Sequence, residues 1–217
     1  MEELSNDTLE AALSRHEIEL PDDQRQKLDA FCRVLWDWNS RLNLTRHTTY
    51  EKFVTRDVVD SLALAAQLEP DEKILDVGTG GGVPGIVLAI VRPDLEVALC
   101  DSVAKKAKAV AAIVDELRLP VIVFHAPAQS LVEPHRFDVL VIRAVASLTK
   151  LLTWFAPHWS SIGRILVIKG PRWAEERGEA RHRGLMNDLE LRKVASYQTA
   201  GNDGESVVLR IQPKVGA

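Results

Sequence analysis

From residue 28 onward apolar side chains recur at helical intervals: Leu28, Phe31, Leu35, Trp38 and Leu42 form one stripe of a helix that Asp22 or Asp23 caps. Before it, residues 5–20 read as a shorter helix closed by Pro21. After it, residues 50–67 form a third, with Phe53, Leu62, Leu64 and Leu68 as apolar contacts. From residue 73 the period changes. Short β-branched runs over 73–77, 96–100, 121–124 and 137–142 alternate with helical stretches near 83–92 and 103–118, and a helix over 147–159 and a strand over 164–168 continue the series. This alternation predicts a mostly parallel sheet with helices on both faces. Beyond Gly170, a charged helix near 173–187 precedes strands over 189–197 and 206–211, joined as an antiparallel hairpin by the turn signal Gly201-Asn202-Asp203-Gly204. The expected architecture is one α/β domain, with an N-terminal helical cap over 1–70 and a core over 71–217.

The first strand, Ile74-Leu75-Asp76-Val77, empties into Gly78-Thr79-Gly80-Gly81-Gly82-Val83-Pro84-Gly85. Glycines at alternate positions permit positive φ and let a ligand approach the backbone. A helix beginning at Ile86 would turn its free N–H groups toward that ligand. In a doubly wound sheet ligands sit at the carboxyl ends of the strands, where the strand order switches. Asp101 ends the second strand 23 residues after Gly78, near the offset of about 20 residues expected for a carboxylate that binds ribose hydroxyls. A nicotinamide or flavin loop wants Gly-x-Gly-x-x-Gly and an open helix N-terminus for a pyrophosphate. Asp76 before the first glycine and Val83-Pro84 after the third favour instead the loop of a class I S-adenosylmethionine-dependent methyltransferase, a Rossmann-like fold.

Composition narrows the class. At 217 residues and 46% hydrophobic the chain can bury one sizeable core. The formal net charge is −4, yet residues 1–30 hold nine acidic and three basic side chains, leaving the rest slightly basic and compatible with a nucleic-acid partner. Cys32 and Cys100 are too few and too far apart for a disulfide framework or a metal site. With an acidic start and no run of about 18 apolar residues, a cytoplasmic protein without membrane or metal is expected. The histidines His16, His125, His135, His158 and His182 lack metal-ligand spacing.

Trp38-Asn39, Asn43-Leu44-Thr45, Asp60-Ser61-Leu62, the glycine block through Ile86, Asp101-Ser102 with Lys105-Lys106, Arg143-Ala144 and Lys169-Gly170 together resemble the RsmG (GidB) family, from about residue 28 to 212. The resemblance implies an enzyme that methylates guanine N7 in 16S rRNA, at position 527 of that RNA, with S-adenosylmethionine as cofactor. It implies 16S rRNA or the 30S subunit as partner; a monomer is expected. By motif position it places Gly78, Gly80, Gly82 and Val83 in the cofactor loop, Asp101 and Ser102 after strand two, Ala128 and Gln129 after strand three, and Arg143 after strand four. Three positions depart from the family pattern: Asp57 stands where a histidine is frequent, Pro127 where an arginine precedes the adenine-loop pair, and Ser206 where an arginine follows Gly-Glu.

Guanine N7 carries a free lone pair, so methyl transfer to it needs no general base; in-line positioning and electrostatics should carry catalysis. Arg143 and Lys169, at strand ends, are the candidates for holding guanine or phosphate oxygens. For RNA the candidates are Asn39, Asn43, Arg46 and His47 in the cap and Arg172 beyond strand five, with Arg41, Arg56, Arg177, Arg181 and Arg183 as further cations and Trp173 as a stacking platform. Trp36, Trp154 and Trp159 read as packing or surface aromatics. Rival readings keep the cofactor but change the acceptor to another RNA or a small molecule, or keep the pocket as a non-catalytic nucleotide sensor.

Overall fold

The computed structural model describes residues 7–198 and 204–214. Helix α1 (Leu9–Arg15) starts where the Thr8 hydroxyl accepts from the Ala11 N–H at 3.1 Å, supplying a partner to a donor that the first turn leaves over. Helix α2 (Asp22–Asn39) follows Pro21, and Asp22 and Asp23 lie inside its first turn. They therefore act on the helix dipole rather than as the side-chain cap expected of one of them. Leu28, Phe31 and Leu35 of the predicted stripe are fully buried, while Trp38 is half-buried and Leu42 lies past the helix end.

The third predicted helix is continuous but irregular. It consists of α3 (Tyr50–Lys52), a π-helical turn Phe53–Val58, and α4 (Val59–Ala65). The π turn buries Phe53, Val54, Asp57 and Val58 and hands over to a first α4 turn that buries Asp60 and Ser61. Two carboxylates thus enter the interior from one rod, a placement that requires partners.

Among the described residues the sheet has seven strands, in the order β3-β2-β1-β4-β5-β7-β6. Strands β1 (Lys73–Val77), β2 (Glu96–Asp101), β3 (Ile122–His125), β4 (Phe137–Arg143) and β5 (Ile162–Lys169) run parallel; β7 (Glu205–Pro213) is antiparallel to β5, and β6 (Leu189–Gln198) to β7. The order reverses between β1 and β4, which is the switch point. Alternate residues of each strand feed opposite sides, as a pleat requires. Ile74, Leu99, Val141 and Leu166 pack with α1, α2, α4, α5 (Gly85–Val91) and α6 (Ala104–Glu116). Leu75, Cys100, Ile142 and Val167 pack with α7 (Gln129–His135), α8 (Leu148–Phe155) and α9 (Trp173–His182). The N-terminal helices share the first of these cores with the sheet.

Some boundaries differ from the sequence reading. Helix α7 lies where no element was predicted, α8 stops at Phe155 before a short 3₁₀ stretch, and α9 ends at His182 rather than near residue 187. Strands β6 and β7 pair as the predicted antiparallel hairpin. Of its turn, Gly201-Asn202-Asp203 lies outside the described residues. No helix among the described residues is long and apolar enough to cross a membrane.

Candidate functional site

Strand β1 ends in a loop built on positive φ at Gly78 (69°), Gly80 (61°) and Gly82 (94°), a region that penalises any residue with a Cβ. The glycines differ in what lies beside them. A Cβ on Gly78 would come within 2.8 Å of Val145 Cγ2, and one on Gly82 within 2.5 Å of Ile86 Cδ1. A Cβ on Gly80 would meet nothing nearer than the Gly78 carbonyl at 3.9 Å. Gly80 therefore borders open space, whereas Gly82 is set against the core.

The start of α5 departs from the expectation of free N–H groups facing a ligand. Asp76, buried beneath the loop, accepts from the Gly85 N–H at 2.9 Å and from the Thr79 hydroxyl at 2.6 Å, both on Oδ2, and the Ile86 N–H donates to Gly82. These protein acceptors take donors that were expected to face outward. Burial lifts the Asp76 carboxyl to about 6, against the two hydrogen bonds that favour its charge. Val83 is buried and joined to Pro84 by a cis peptide.

A cavity of about 260 Å³ opens at the carboxyl ends of β1, β2 and β3, slightly below the usual ligand range of about 300–1,000 Å³. Gly78, Asp101, Ser102, Ala128 and Gln129 line it together, so five of the sequence candidates converge here; Gly80, Gly82, Val83 and Arg143 do not line it. Its other walls are largely apolar, from Ala126, Pro127, Val145, Trp154 and Phe155. Trp154, which the sequence suggested was packing or surface, stands in this wall. Cys100 also borders the cavity, and burial pushes its thiol up to about 12, leaving it protonated and inert. A larger hollow of about 490 Å³ lies between α1 and α2. None of its lining residues belongs to a strand or to the loop after one, and it is edged by ion-paired Arg25, Asp22 and Arg33, so the smaller cavity is the candidate.

Asp101, buried at the end of β2, accepts from the Gly80 N–H at 3.1 Å and the Val103 N–H at 2.8 Å, one on each oxygen. A carboxylate offers about four acceptor positions, so capacity remains beside the cavity for hydroxyl donors. An apolar slot, a glycine backbone open at Gly80 and a carboxylate with acceptors to spare suit a nucleoside with an attached chain.

At the ends of β4 and β5 the structure is of another kind. Arg143 Nη1 donates to Asp57 Oδ1 at 2.6 Å and to Asp60 Oδ2 at 3.2 Å. His47 Nδ1 lies 2.9 Å from Asp57 Oδ2, and the Tyr197 hydroxyl donates to Asp60 Oδ1 at 2.7 Å. Burial opposes the Arg143 charge, and the two carboxylates more than offset it, holding its pKa above the ordinary guanidinium value. Burial, reinforced by Asp60, raises the Tyr197 phenol well beyond its usual range. Lys169 Nζ donates to the Ala146 carbonyl at 2.6 Å and to Glu176 Oε2 at 2.8 Å. Both residues expected to hold guanine or phosphate are thus engaged with protein acceptors. Asp57, one of the departures from the family pattern, is the acceptor that His47 and Arg143 share; Ser206, another, pairs across strands with Tyr197.

The cap residues expected to meet RNA divide similarly. Asn39 Oδ1 accepts from the N–H groups of Leu44 at 2.7 Å and Thr45 at 2.9 Å, so its carbonyl shapes the following loop. That loop leans on the glycine turn: a Cβ on Gly81 would lie 3.2 Å from the Leu44 carbonyl oxygen. Asn43, Arg46 and Arg172 are exposed. Arg41 pairs with Asp37 and lies over the Trp38 ring, and Trp36 donates to the His47 carbonyl at 2.8 Å. Trp173 packs against the second core rather than standing clear as a platform. Among the described residues no group of three or more His, Cys, Asp or Glu could hold a metal ion.

Known proteins resemble this chain at two levels. The family model GidB, described as rRNA small subunit methyltransferase G, matches residues 24–204. A relative from Rhodopirellula baltica named ribosomal RNA small subunit methyltransferase G is 50% identical over 186 residues, 86% of this chain and 80% of its own. One of the same name from Nitrosococcus oceani is 32% identical over 215 residues, 99% of this chain and 98% of its own. Among solved structures, M. capricolum TrmK in complex with S-adenosyl-homocysteine has a TM-score of 0.57 at 14% identity, covering 71% of this chain and 68% of that one. The 23S rRNA methyltransferase ErmE has a TM-score of 0.54 at 16% identity, covering 74% and 68%. At such identities the likeness is one of fold, and the fold is the class I S-adenosylmethionine-dependent methyltransferase arrangement.

Proposed function

Since this chain belongs to the rRNA small subunit methyltransferase G (GidB) family, we propose that it methylates N7 of a guanine in 16S rRNA, with S-adenosylmethionine as methyl donor. The observation that carries the reading is the cavity at the switch point, where Gly78, Asp101, Ala128 and Gln129 meet beside the open backbone of Gly80. Asp101 would accept from ribose hydroxyls, Ala126, Pro127 and Trp154 would flank an adenine, and Gln129 would bond its edge. S-adenosylmethionine, bound there, supplies a methyl group on a sulfonium. The protein's own task is then to hold the acceptor base in line and to exclude water. No side chain has to take a proton, because N7 attacks through its lone pair. Asp76, the carboxyl of raised pKa near the loop, fits that assignment: its Oδ2 already serves Thr79 and Gly85.

Exposed Asn43, Arg46 and Arg172 are assigned to the RNA, as phosphate and base-edge contacts. The enzyme acts as a cytoplasmic monomer on 16S rRNA or the 30S subunit. Comparing small-subunit rRNA from cells with and without the gene, by aniline cleavage at 7-methylguanosine, tests the acceptor. One cleavage product should vanish without the gene, and an unchanged pattern would reject the assignment. Supplying naked 16S rRNA and 30S particles to the purified enzyme then separates the two partners.

A further inference from the structure

We propose that Arg143 and Lys169 act as positioning residues, clamping the loop over residues 144–147 against Gly78 and so setting the width of the cofactor cavity, with Glu176 and Tyr197 as working parts of the same device. This inference rests on the reading of that cavity as the S-adenosylmethionine site.

The loop needs holding. Ala144 sits at φ 54°, a left-handed conformation that costs a residue with a Cβ. The next side chain, Val145, packs where a Cβ on Gly78 would stand, and it lines the cavity with Trp154 and Phe155 of α8. A small shift of this loop therefore moves one wall of the site.

Both ends of the loop are tied down. At its start, Arg143 bridges Asp57 and Asp60, buried carboxylates on the rod formed by α3, the π turn and α4. Asp60 is held in turn by Tyr197 from the far hairpin. At its end, Lys169 holds the Ala146 carbonyl, and Glu176 Oε2 accepts from both Lys169 Nζ and the Leu148 N–H, each at 2.8 Å. Glu176 thereby caps α8, the helix that carries Trp154. The Lys169 side chain is only 10% exposed and that of Arg143 20%, a degree of enclosure that suits internal tethers. Elements distant in sequence thus converge on four residues of loop.

Glu176→Ala separates this role from substrate contact, because Glu176 does not line the cavity and its loss removes the ion pair of Lys169 and the acceptor of the Leu148 N–H. Affinity for S-adenosylhomocysteine, measured by calorimetry, should fall about tenfold, while kcat at saturating cofactor stays within about twofold. Tyr197→Phe should weaken the same affinity about threefold. Should Glu176→Ala fail to fold, as judged by its melting, Glu176→Met, which keeps the bulk of the side chain and removes its acceptor oxygens, carries the test with the same outcomes. Unchanged affinity would overturn the clamp, and so would a kcat that falls as far as the affinity does. If the unaltered enzyme binds no S-adenosylhomocysteine, the cofactor reading itself fails and the clamp is not at fault.

Discussion

The ends of β1, β2 and β3 and the ends of β4 and β5 lie side by side in one sheet and are finished in opposite ways. On the first side the backbone carries glycines, a cavity of about 260 Å³ remains, and Asp101 keeps acceptor positions in reserve. On the second, Arg143, Lys169, Asp57, Asp60 and Glu176 all have protein partners. Recognition requires groups whose bonding is incomplete, and precision requires neighbours whose bonding is complete. The two sides divide these requirements between them, and a residue's charge alone does not tell to which side it belongs.

The sharpest way to break this contrast is Arg143→Ala, which strands two buried carboxylates. It should cost about 3–5 kcal/mol of stability, seen as a lowered urea midpoint; a loss below about 1 kcal/mol would show that the network is not buried in solution.

Next comes the pH dependence set by Asp76. Its folded pKa of about 6 lies above the ordinary aspartate value, so the native state binds the proton more tightly than the unfolded chain does. Its contribution is therefore present below about pH 4 and declines as pH rises to about 6, by up to about 3 kcal/mol. Asp76→Asn retains an oxygen for Thr79 and Gly85 and removes the titration. The variant should gain on the parent between pH 4 and pH 6 and hold that gain above it; a stability difference independent of pH would return Asp76 to an ordinary carboxylate.

Asp101→Ala should weaken cofactor binding by about 1.5–3 kcal/mol, read by calorimetry, with a much smaller change in stability than Arg143→Ala produces. The reverse ranking would erase the distinction between the two sides. The smallest effects belong to the exposed cations. Arg46→Ala and Arg172→Ala should each reduce the salt dependence of RNA binding by about one counterion and leave cofactor affinity alone; an unchanged slope would place that arginine outside the RNA footprint.

Much of this was legible in the sequence, for identifiable reasons. Strands β1, β2 and β4 begin at the predicted residues because β-branched runs switch abruptly from the helical period. The glycine loop and Asp101 were readable because chemistry fixes their spacing. Helix α7 was hidden by its seven-residue length, by Pro134 inside it and by Pro127 just before it. The π turn left no trace, since one extra residue in a turn does not alter composition. The Arg143 network draws on residues 47, 57, 60, 143 and 197; all but Tyr197 stood out in the sequence, each for a separate reason in its own segment, and it is their meeting that only the fold reveals. The fate of the α5 N–H groups depended on Asp76 folding beneath the loop, which neighbours in sequence cannot reveal.

The π turn at Phe53–Val58 also works as a gauge of rotation. Each residue added to a helix turns everything after it by about 100°. Deleting one residue from this turn would let the rod relax into an ordinary α-helix, with its length nearly kept and its hydrogen bonds restored. Asp60 would then point away from Arg143 and Tyr197 while Asn39 and the glycine loop stayed where they are. Phase, rather than helical propensity, is what this irregular turn contributes to the molecule.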